Sequence, residues 1–328
     1  MKLEDKCLRV GALALCTALF LRLIVPMLGQ KLQAANLFSL LLYTSTGRWV
    51  AGESVTEETV PTVVEDEPVQ AVFAPEDASV ISLYNPVGFS VDMQAMLSRP
   101  LQWTLATDAP TVLIIHSHAS ESYQNTEGYQ ALPNYATLDT QYNMVSIGDH
   151  LAAKLEEAGI QTIHDRRLHD HPSYNNAYNN TWLAITDYME QYPSIQLVLD
   201  LHRDSFLNAD GSQGKYTAAY KDGQASGLML VVGSFDNQSE SPGWHRNLAL
   251  AAKLQVQLQR ICPGICRPLC LRSDAFNQNL SPQGLLVEVG SAGNTRQEAL
   301  LAAEVLAEAI IAMQDGSQTV TPVLSPTE

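Results

Sequence analysis

A chain of 328 residues with 46% hydrophobic residues is long enough to bury one sizeable core with residues left over. Its formal net charge of −16 argues against nucleic acid, whose phosphates demand basic surface, and against anchoring to anionic lipid through surface charge. Mean hydropathy near zero argues against a polytopic membrane protein, and five cysteines are too few for a disulfide scaffold.

Residues 1–9 are short and polar, with Lys2, Lys6 and Arg9 set against Glu4 and Asp5. An apolar run from Val10 to Phe20, interrupted by Arg22 and resumed through Leu28, approaches the roughly 20 residues that cross a bilayer. The lack of a small-x-small cleavage site, and an Arg22 able to snorkel outward, predict an uncleaved anchor over 10–28. Positive charge before that segment predicts a single-pass cell-membrane protein with its bulk exported. Leu37–Tyr43 is too short to span and reads as an interfacial helix. From Ala51 to Val80 there are eight acidic residues and no lysine or arginine, with Pro61, Pro68 and Pro75 among them. That composition predicts a self-repelling spacer, making 29–82 a juxtamembrane segment and acidic linker.

A globular domain is expected over 83–313. Met144, Ile147, Gly148, Leu151, Ala152 and Leu155 form an apolar stripe at helical period, closed by Gly159 as a C′ glycine. A short strand follows at Gln161–His164, then a helix carrying Tyr178, Trp182, Ile185, Tyr188 and Met189. Ile195–Asp200 and Leu228–Val232 read as strands and Trp244–Ile261 as a helix. Arg267–Arg272 and Leu285–Val289 read as further strands. Thr295-x-x-Glu298 is a capping box before a final helix to Met313, and 314–328 reads as a disordered tail. This alternation predicts an α/β fold, a mainly parallel or mixed sheet flanked by helices.

Three apolar strands run into groups that bind metal or move protons. Val112–Ile115 leads to His116, His118 and Glu121; Leu197–Leu199 leads to Asp200 and His202; Leu285–Val287 leads to Glu288. Parallel strands would bring these ends to one sheet edge, where α/β proteins build their sites. Two histidines and a glutamate are a recognised ligand set for hydrolytic zinc, so His118, Glu121 and His202 are the expected Zn2+ ligands. Glu288 is then the general base, later the acid, with Arg203 or Asn294 holding an oxyanion or a peptide carboxylate. The order His-x-x-Glu, His, late Glu resembles the zinc carboxypeptidase arrangement. His118 is preferred to His116 on the His-x-x-Glu spacing. A buried salt bridge to Arg203 is the structural alternative for Glu288. His164-Asp165 and His169-Asp-His171 read as solvated or substrate-lining groups. Cys262, Cys266 and Cys270 lack a fourth ligand, and export favours one disulfide with one cysteine free. No Gly-x-Ser-x-Gly, P-loop or His-Glu-x-x-His motif is present.

Several segments together resemble the stage II sporulation protein P (SpoIIP) family of endospore formers. They are Val112–Tyr123 with His-Ser-His-Ala-Ser-Glu, Tyr142-Asn143, His169-Asp-His-Pro-Ser-Tyr-Asn175 and Leu199-Asp-Leu-His-Arg-Asp204. Asn277-Gln-Asn-Leu-Ser-Pro282, Leu286-Val-Glu-Val-Gly290 and Asn294-Thr295 continue the series. The resemblance implies a zinc-dependent N-acetylmuramoyl-L-alanine amidase of peptidoglycan with endopeptidase activity, active during engulfment at the septal membrane. Its implied partners are a SpoIID-like lytic transglycosylase and a SpoIIM-like membrane protein. It carries metal and catalytic roles onto His118, Glu121, His202 and Glu288. Phe276, where the family pattern has tyrosine, and the triple cysteine depart from it. A zinc endopeptidase or carboxypeptidase of wall peptides, and an inactive wall-binding tether, are the rival readings.

Overall fold

Strand pairing in this protein extends well past the apolar runs that announce it. The computed structural model describes residues 73–314, except 102, 127, 237–238 and 241–242. The expected anchor, most of the expected linker and nearly all of the tail lie outside the described residues. Among the described residues no helix is long and apolar enough to cross a membrane. The strands are β1 (Leu83–Tyr84), β2 (Val112–Ile115), β3 (Thr162–His164), β4 (Leu197–Asp204), β5 (Thr217–Tyr220) and β6 (Gly223–Ser226). They continue with β7 (Leu228–Gly233), β8 (Phe235–Asp236), β9 (Ser239–Glu240), β10 (Leu269–Arg272) and β11 (Gln283–Ser291). The α-helices are α1 (Met93–Ser98), α2 (Met144–Glu157), α3 (Ala177–Gln191), α4 (Trp244–Ile261) and α5 (Arg296–Gln314). A short 3-10 turn at Pro75–Val80 precedes β1, and its Asp77 pairs with Arg260 of α4 at 2.7 Å.

Seven strands form one sheet in the order β1-β10-β7-β11-β4-β2-β3. Neighbours are parallel throughout except at β7 and β11, which are antiparallel. The expected mainly parallel or mixed α/β sheet is therefore present, as two parallel blocks of opposite direction. The reversal has a local cause. A parallel return requires a crossover, usually a helix, whereas β4 reaches β7 through the β5–β6 hairpin.

Side-chain alternation with period two then sorts the strands onto two faces. Leu197, Leu199 and Leu201 of β4, with Leu285, Val287 and Val289 of β11, enter the main core beneath α2, α4 and α5. Leu113, Ile115 and Val198 face the other way, under Ala184 and Ile185 of α3. Asp200, His202, Leu286 and Glu288 share that second parity. Helix α3 packs over β3, β2 and β4, and the second face stays open over β11, β7 and β10. There Leu286, Val231 and Cys270 form a small apolar cluster of their own.

The helix ends follow the sequence signals. Gly159 takes φ +80° just beyond α2, where an L side chain would be strained. Thr295 Oγ1 accepts from the Glu298 backbone N–H at 3.1 Å, and the Glu298 carboxylate accepts from the Thr295 N–H at 3.0 Å. Gly148 lets α2 approach the end of β2. A Cβ there would lie 2.6 Å from His116 Nε2 and 2.4 Å from His164 Nε2.

The loop after β3 is not the solvated stretch its composition suggests. Asp165 and His169 are buried, joined at 2.9 Å, and Arg167 adds a guanidinium at 2.7 Å. Asp170 accepts from the Ser120 backbone N–H and hydroxyl, which ties this loop to the turn that follows β2. His171 and Arg167 are the exposed members of this group. Composition was a poor guide because the polar groups satisfy one another, the condition on which burial is tolerated.

Two outcomes follow. Gly148→Ala gains about 1 kcal/mol of helix propensity but forces apart two hydrogen-bonded imidazoles. It should lose roughly 1–3 kcal/mol net, seen as a lower thermal midpoint that Gly159→Asn does not match. The Asp165 carboxyl is held well below the usual range: burial would raise it, but His169 and Arg167 outweigh burial. Its stabilising contribution is therefore complete above about pH 4, the unfolded value, and is lost as pH falls below it. In urea titrations the gap between parent and Asp165→Asn should be full at pH 7 and narrow steadily below pH 4.

Candidate active site

The open face of the sheet and the turn after β2 enclose a cavity of about 580 Å³, walled in part by His118, Glu121, His202, Arg203 and Glu288. The register explains part of this convergence. His202 on β4 lies directly opposite Glu288 on β11, with both side chains on the open face. Neither residue follows its strand, as expected; each sits within one, because the β4–β11 ladder continues to Asp204 and Ser291 across an irregularity after Glu288. Strand β2 does end at Ile115, and the chain then turns over 117–120. His116 and His118, which a continuing strand would place on one face, are therefore free to point different ways.

The two histidines nevertheless separate. His116 is fully buried, with Nδ1 3.0 Å from the Leu201 carbonyl and Nε2 2.8 Å from His164 Nε2. His118 lines the cavity, stacked on Tyr174 at 4.0 Å between ring centroids. Its ring lies edge-on to His202 at 5.4 Å. His118 Nδ1 is buried without a hydrogen-bond partner.

His202 lies between two carboxylates. Asp200 Oδ1 is 3.0 Å from Nε2 and Glu121 Oε2 is 3.6 Å from Nδ1. Nε2 is buried without a well-aligned hydrogen-bond partner, so charge is the main attraction between it and Asp200. Burial alone would lower the His202 pKa, but Asp200 and Glu121 raise it well above the ordinary value. Conversely, burial would raise both carboxyls. His202 and Ser117 hold Asp200 down, and His202 and Arg203 hold Glu121 down. Asp200 accepts from the Ser117 N–H at 2.8 Å and from its hydroxyl at 2.6 Å. The Arg203 N–H donates to Glu121 Oε2 at 3.0 Å.

Glu288 has no such support. Its Oε2 is sealed from solvent without a partner. Burial first, then the nearby Glu121 and Asp204 charges, push its pKa up to about 8 against the pull of His202 and Arg203. The salt bridge considered for Glu288 goes elsewhere: Arg203 Nη1 faces Glu121 at 3.9 Å. The rest of that guanidinium donates to the Ser122 and Tyr135 carbonyls at 2.9 and 2.8 Å. Asn294 is fully buried, bonded to Ser291, Tyr216 and Glu298, so it stands outside the cavity as a loop brace.

Among the described residues no three His, Cys, Asp or Glu side chains stand close enough together to enclose a metal ion. Of the three expected ligands, His202 and Glu121 approach one another to 3.6 Å. Two donors on a shared tetrahedral zinc with bonds of about 2.0–2.1 Å would be roughly 3.3 Å apart. Cys262, Cys266 and Cys270 are all free thiols, so the expected disulfide is not formed. Burial raises all three thiol pKa values, that of Cys266 to about 12.

The cavity also holds residues that single-residue reasoning missed. Tyr178 stands edge-on to His118 at 5.6 Å and stacks with His202 at 6.4 Å. Phe276 lines the floor beside it. Asn277, in the left-handed region at φ 57°, donates to the Tyr178 carbonyl at 2.8 Å. Gln278 bonds the β7 backbone at Val231 and Gly233. The polar motif at 277–282 therefore braces the cavity floor, and a run of amides and asparagines among apolar strands was the available signal.

The family model for stage II sporulation protein P (SpoIIP) matches residues 53–311. Stage II sporulation protein P of Bacillus subtilis (strain 168) is 24% identical over 212 residues, 61% of this chain and 50% of that protein. The chain thus aligns with about half the length of that curated relative. Among solved structures, an N-acetylmuramoyl-L-alanine amidase from Clostridium difficile 630 is 15% identical. It covers 65% of this chain and all 100% of its own, at a TM-score of 0.39. The catalytic domain of CwlV, an N-acetylmuramoyl-L-alanine amidase from Bacillus (Paenibacillus) polymyxa var. colistinus, is 10% identical over 63% of this chain and 99% of its own, at a TM-score of 0.38. With the family model spanning most of the described fold and every residue of the cavity, the chain belongs to the stage II sporulation protein P family.

Proposed function

We propose that this chain is a zinc-dependent peptidoglycan hydrolase, an N-acetylmuramoyl-L-alanine amidase with endopeptidase activity, working in wall remodelling during sporulation engulfment. The observation that carries the reading is one cavity shared by two imidazoles and two carboxylates in opposite electrostatic states. Glu121 is held ionised, while Glu288 is pushed toward its protonated form. Paired groups driven apart in this way mark an acid–base assignment. The reading places the protein in the cell membrane through residues 10–28, with its catalytic domain outside. Its partners in the reading are a SpoIID-like lytic transglycosylase and a SpoIIM-like membrane protein.

The donor set suits zinc. His118 offers a buried, unpartnered Nδ1, and His202 and Glu121 already face one another. When bound there, zinc supplies Lewis acidity to a water molecule and to the scissile carbonyl. Asp200, anchored by Ser117, orients His202 and raises its basicity, the usual service of a carboxylate behind a ligand imidazole. With a cation bound beside it, Glu288 would give up its own proton, take one from the attacking water and return it to the leaving amide nitrogen. Its unpartnered Oε2 keeps one oxygen available for that transfer. Arg203 holds Glu121 and the 122–135 loop in register, and Tyr174 and Tyr178 narrow access for bulk water.

Digestion of purified sacculi tests the reaction. The expected products are glycan strands stripped of stem peptide and peptides with a new L-alanine amino terminus; cleavage confined to peptide cross-links would favour the endopeptidase reading. Glu288→Gln should retain zinc and thermal midpoint while losing at least about 100-fold in rate; undiminished cleavage would remove Glu288 from the mechanism. His202→Ala should lower bound zinc from one per chain to near zero by elemental analysis, and unchanged zinc content would sink the ligand assignment.

A further inference from the structure

The floor of the cavity runs on from Glu288 to an arginine that the proposed chemistry does not use. Leu286, Met229, Val231 and Cys270 lie side by side across β11, β7 and β10 on the open face. Arg272 ends β10 at the far side of this apolar floor and lines the same cavity as His202 and Glu288.

The three arginines of the cavity differ in what they already hold. Arg203 is spent on Glu121 and two backbone carbonyls. Arg267 is bonded to Asp204 at 2.6 Å and stacked against Phe206 and Tyr216. Arg272 is exposed, and its side chain meets the Cys270 thiol. Among the described residues it has no carboxylate partner. A guanidinium without a counter-ion, beside an apolar path from the reacting end, is a fork for a planar anion.

Strand register gives the spacing. Arg272 pairs with Gly233 and Glu288 with Met229, so Arg272 lies two strands across and four residues along from Glu288. At about 4.8 Å per strand and 3.3 Å per residue, their Cα atoms are roughly 16 Å apart. Allowing for the reach of the arginine, the gap is on the order of 10 Å, about three residues of extended peptide.

We propose that Arg272 is a specificity-determining residue that receives a carboxylate of the substrate peptide two or three residues beyond the scissile amide. The proposal rests on the amidase reading of this cavity. A single free fork reached over an apolar floor suits one carboxylate; a polyphosphate strand would call for several free cations along the groove.

Calorimetry tests it on the full chain carrying Glu288→Gln, so that ligand is not consumed. The probes are a synthetic N-acetylmuramoyl tetrapeptide with free carboxylates and the same molecule amidated at its second, third and fourth residues. Amidation should weaken binding about tenfold or more. Arg272→Gln should weaken the free form by the same factor and leave the amidated form unchanged, and Arg272→Lys should recover part of the loss. Equal binding of the two probes, no binding of the free form, or an Arg272→Gln loss shared by both probes would overturn the assignment. Cleavage of the free probe by the chain with Glu288 intact reports separately on the amidase reading. Arg272-dependent binding without cleavage would sink the chemistry and keep the subsite.

Discussion

One imidazole held between two buried carboxylates sets the state of every other group in the cavity. Burying Asp200 and Glu121 as anions is tolerable only with charge and hydrogen bonds supplied on the spot. Ser117 gives Asp200 two donors and Arg203 gives Glu121 one. The remaining charge comes from His202, which stays protonated well beyond its ordinary range. The position of that proton is thus one that demands positive charge, and the same field favours a divalent cation in exchange for it. Glu288 lies opposite His202 but receives no donor, so it meets the field of the other carboxylates with its desolvation uncompensated. One source of asymmetry keeps one glutamate charged and leaves the other able to hold a proton.

A second buried network supports the turn that carries His118, and its protons can be counted. His116 Nδ1 faces the Leu201 carbonyl, the two Nε2 atoms face each other, and His164 Nδ1 faces Asp149 Oδ1 at 3.0 Å. Both ends are acceptors, so three contacts need three protons among four nitrogens, while two neutral imidazoles carry two. Burial disfavours charge on either ring, His116 most of all, with its pKa near 3. His164 is the ring with a carboxylate beside it, yet burial outweighs Asp149 and holds its pKa below the ordinary value, so one of the three contacts lacks a proton while both rings are neutral. The closeness of Gly148 to both rings is the steric counterpart: α2 brings Asp149 to this pair only because residue 148 has no side chain.

Much of this was legible in the chain and some was not, for identifiable reasons. The stripe of α2, its Gly159 stop, the Thr295/Glu298 box and the span of α4 were readable because they depend on local spacing. His118 with Glu121, His202 and Glu288 stood out because ionisable groups beside Val and Leu runs are costly unless used. The position of His202 and Glu288 within their strands was hidden, since backbone ladder bonds form whatever the side chain and the apolar run stops earlier than the pairing. The reversal at β7 depends on a hairpin, β5–β6, whose residues carry little alternation. Asp165, His169 and Asp170 looked solvated because their partners, Arg167 and Ser120, become neighbours only in the folded chain. The three cysteines were assigned by compartment, an argument that carries no information about distance.

Charge at long range and charge at the site point in opposite directions. Half of the net charge of −16 falls between residues 51 and 80, and the cavity itself gathers Glu121, Asp204 and Glu288, with Asp200 behind His202. A field of that sign repels an acidic polymer, but at physiological ionic strength it decays over about 8 Å. Inside the cavity screening is weaker, and each arginine is placed against a particular demand. Arg203 offsets Glu121, Arg267 offsets Asp204, and Arg272 has no internal charge to offset. On the proposed reading, an acidic protein would admit an acidic chain through local pairing, with one cation at the end of an apolar floor. Net charge, read from composition, describes the approach to this surface and says little about what the cleft selects.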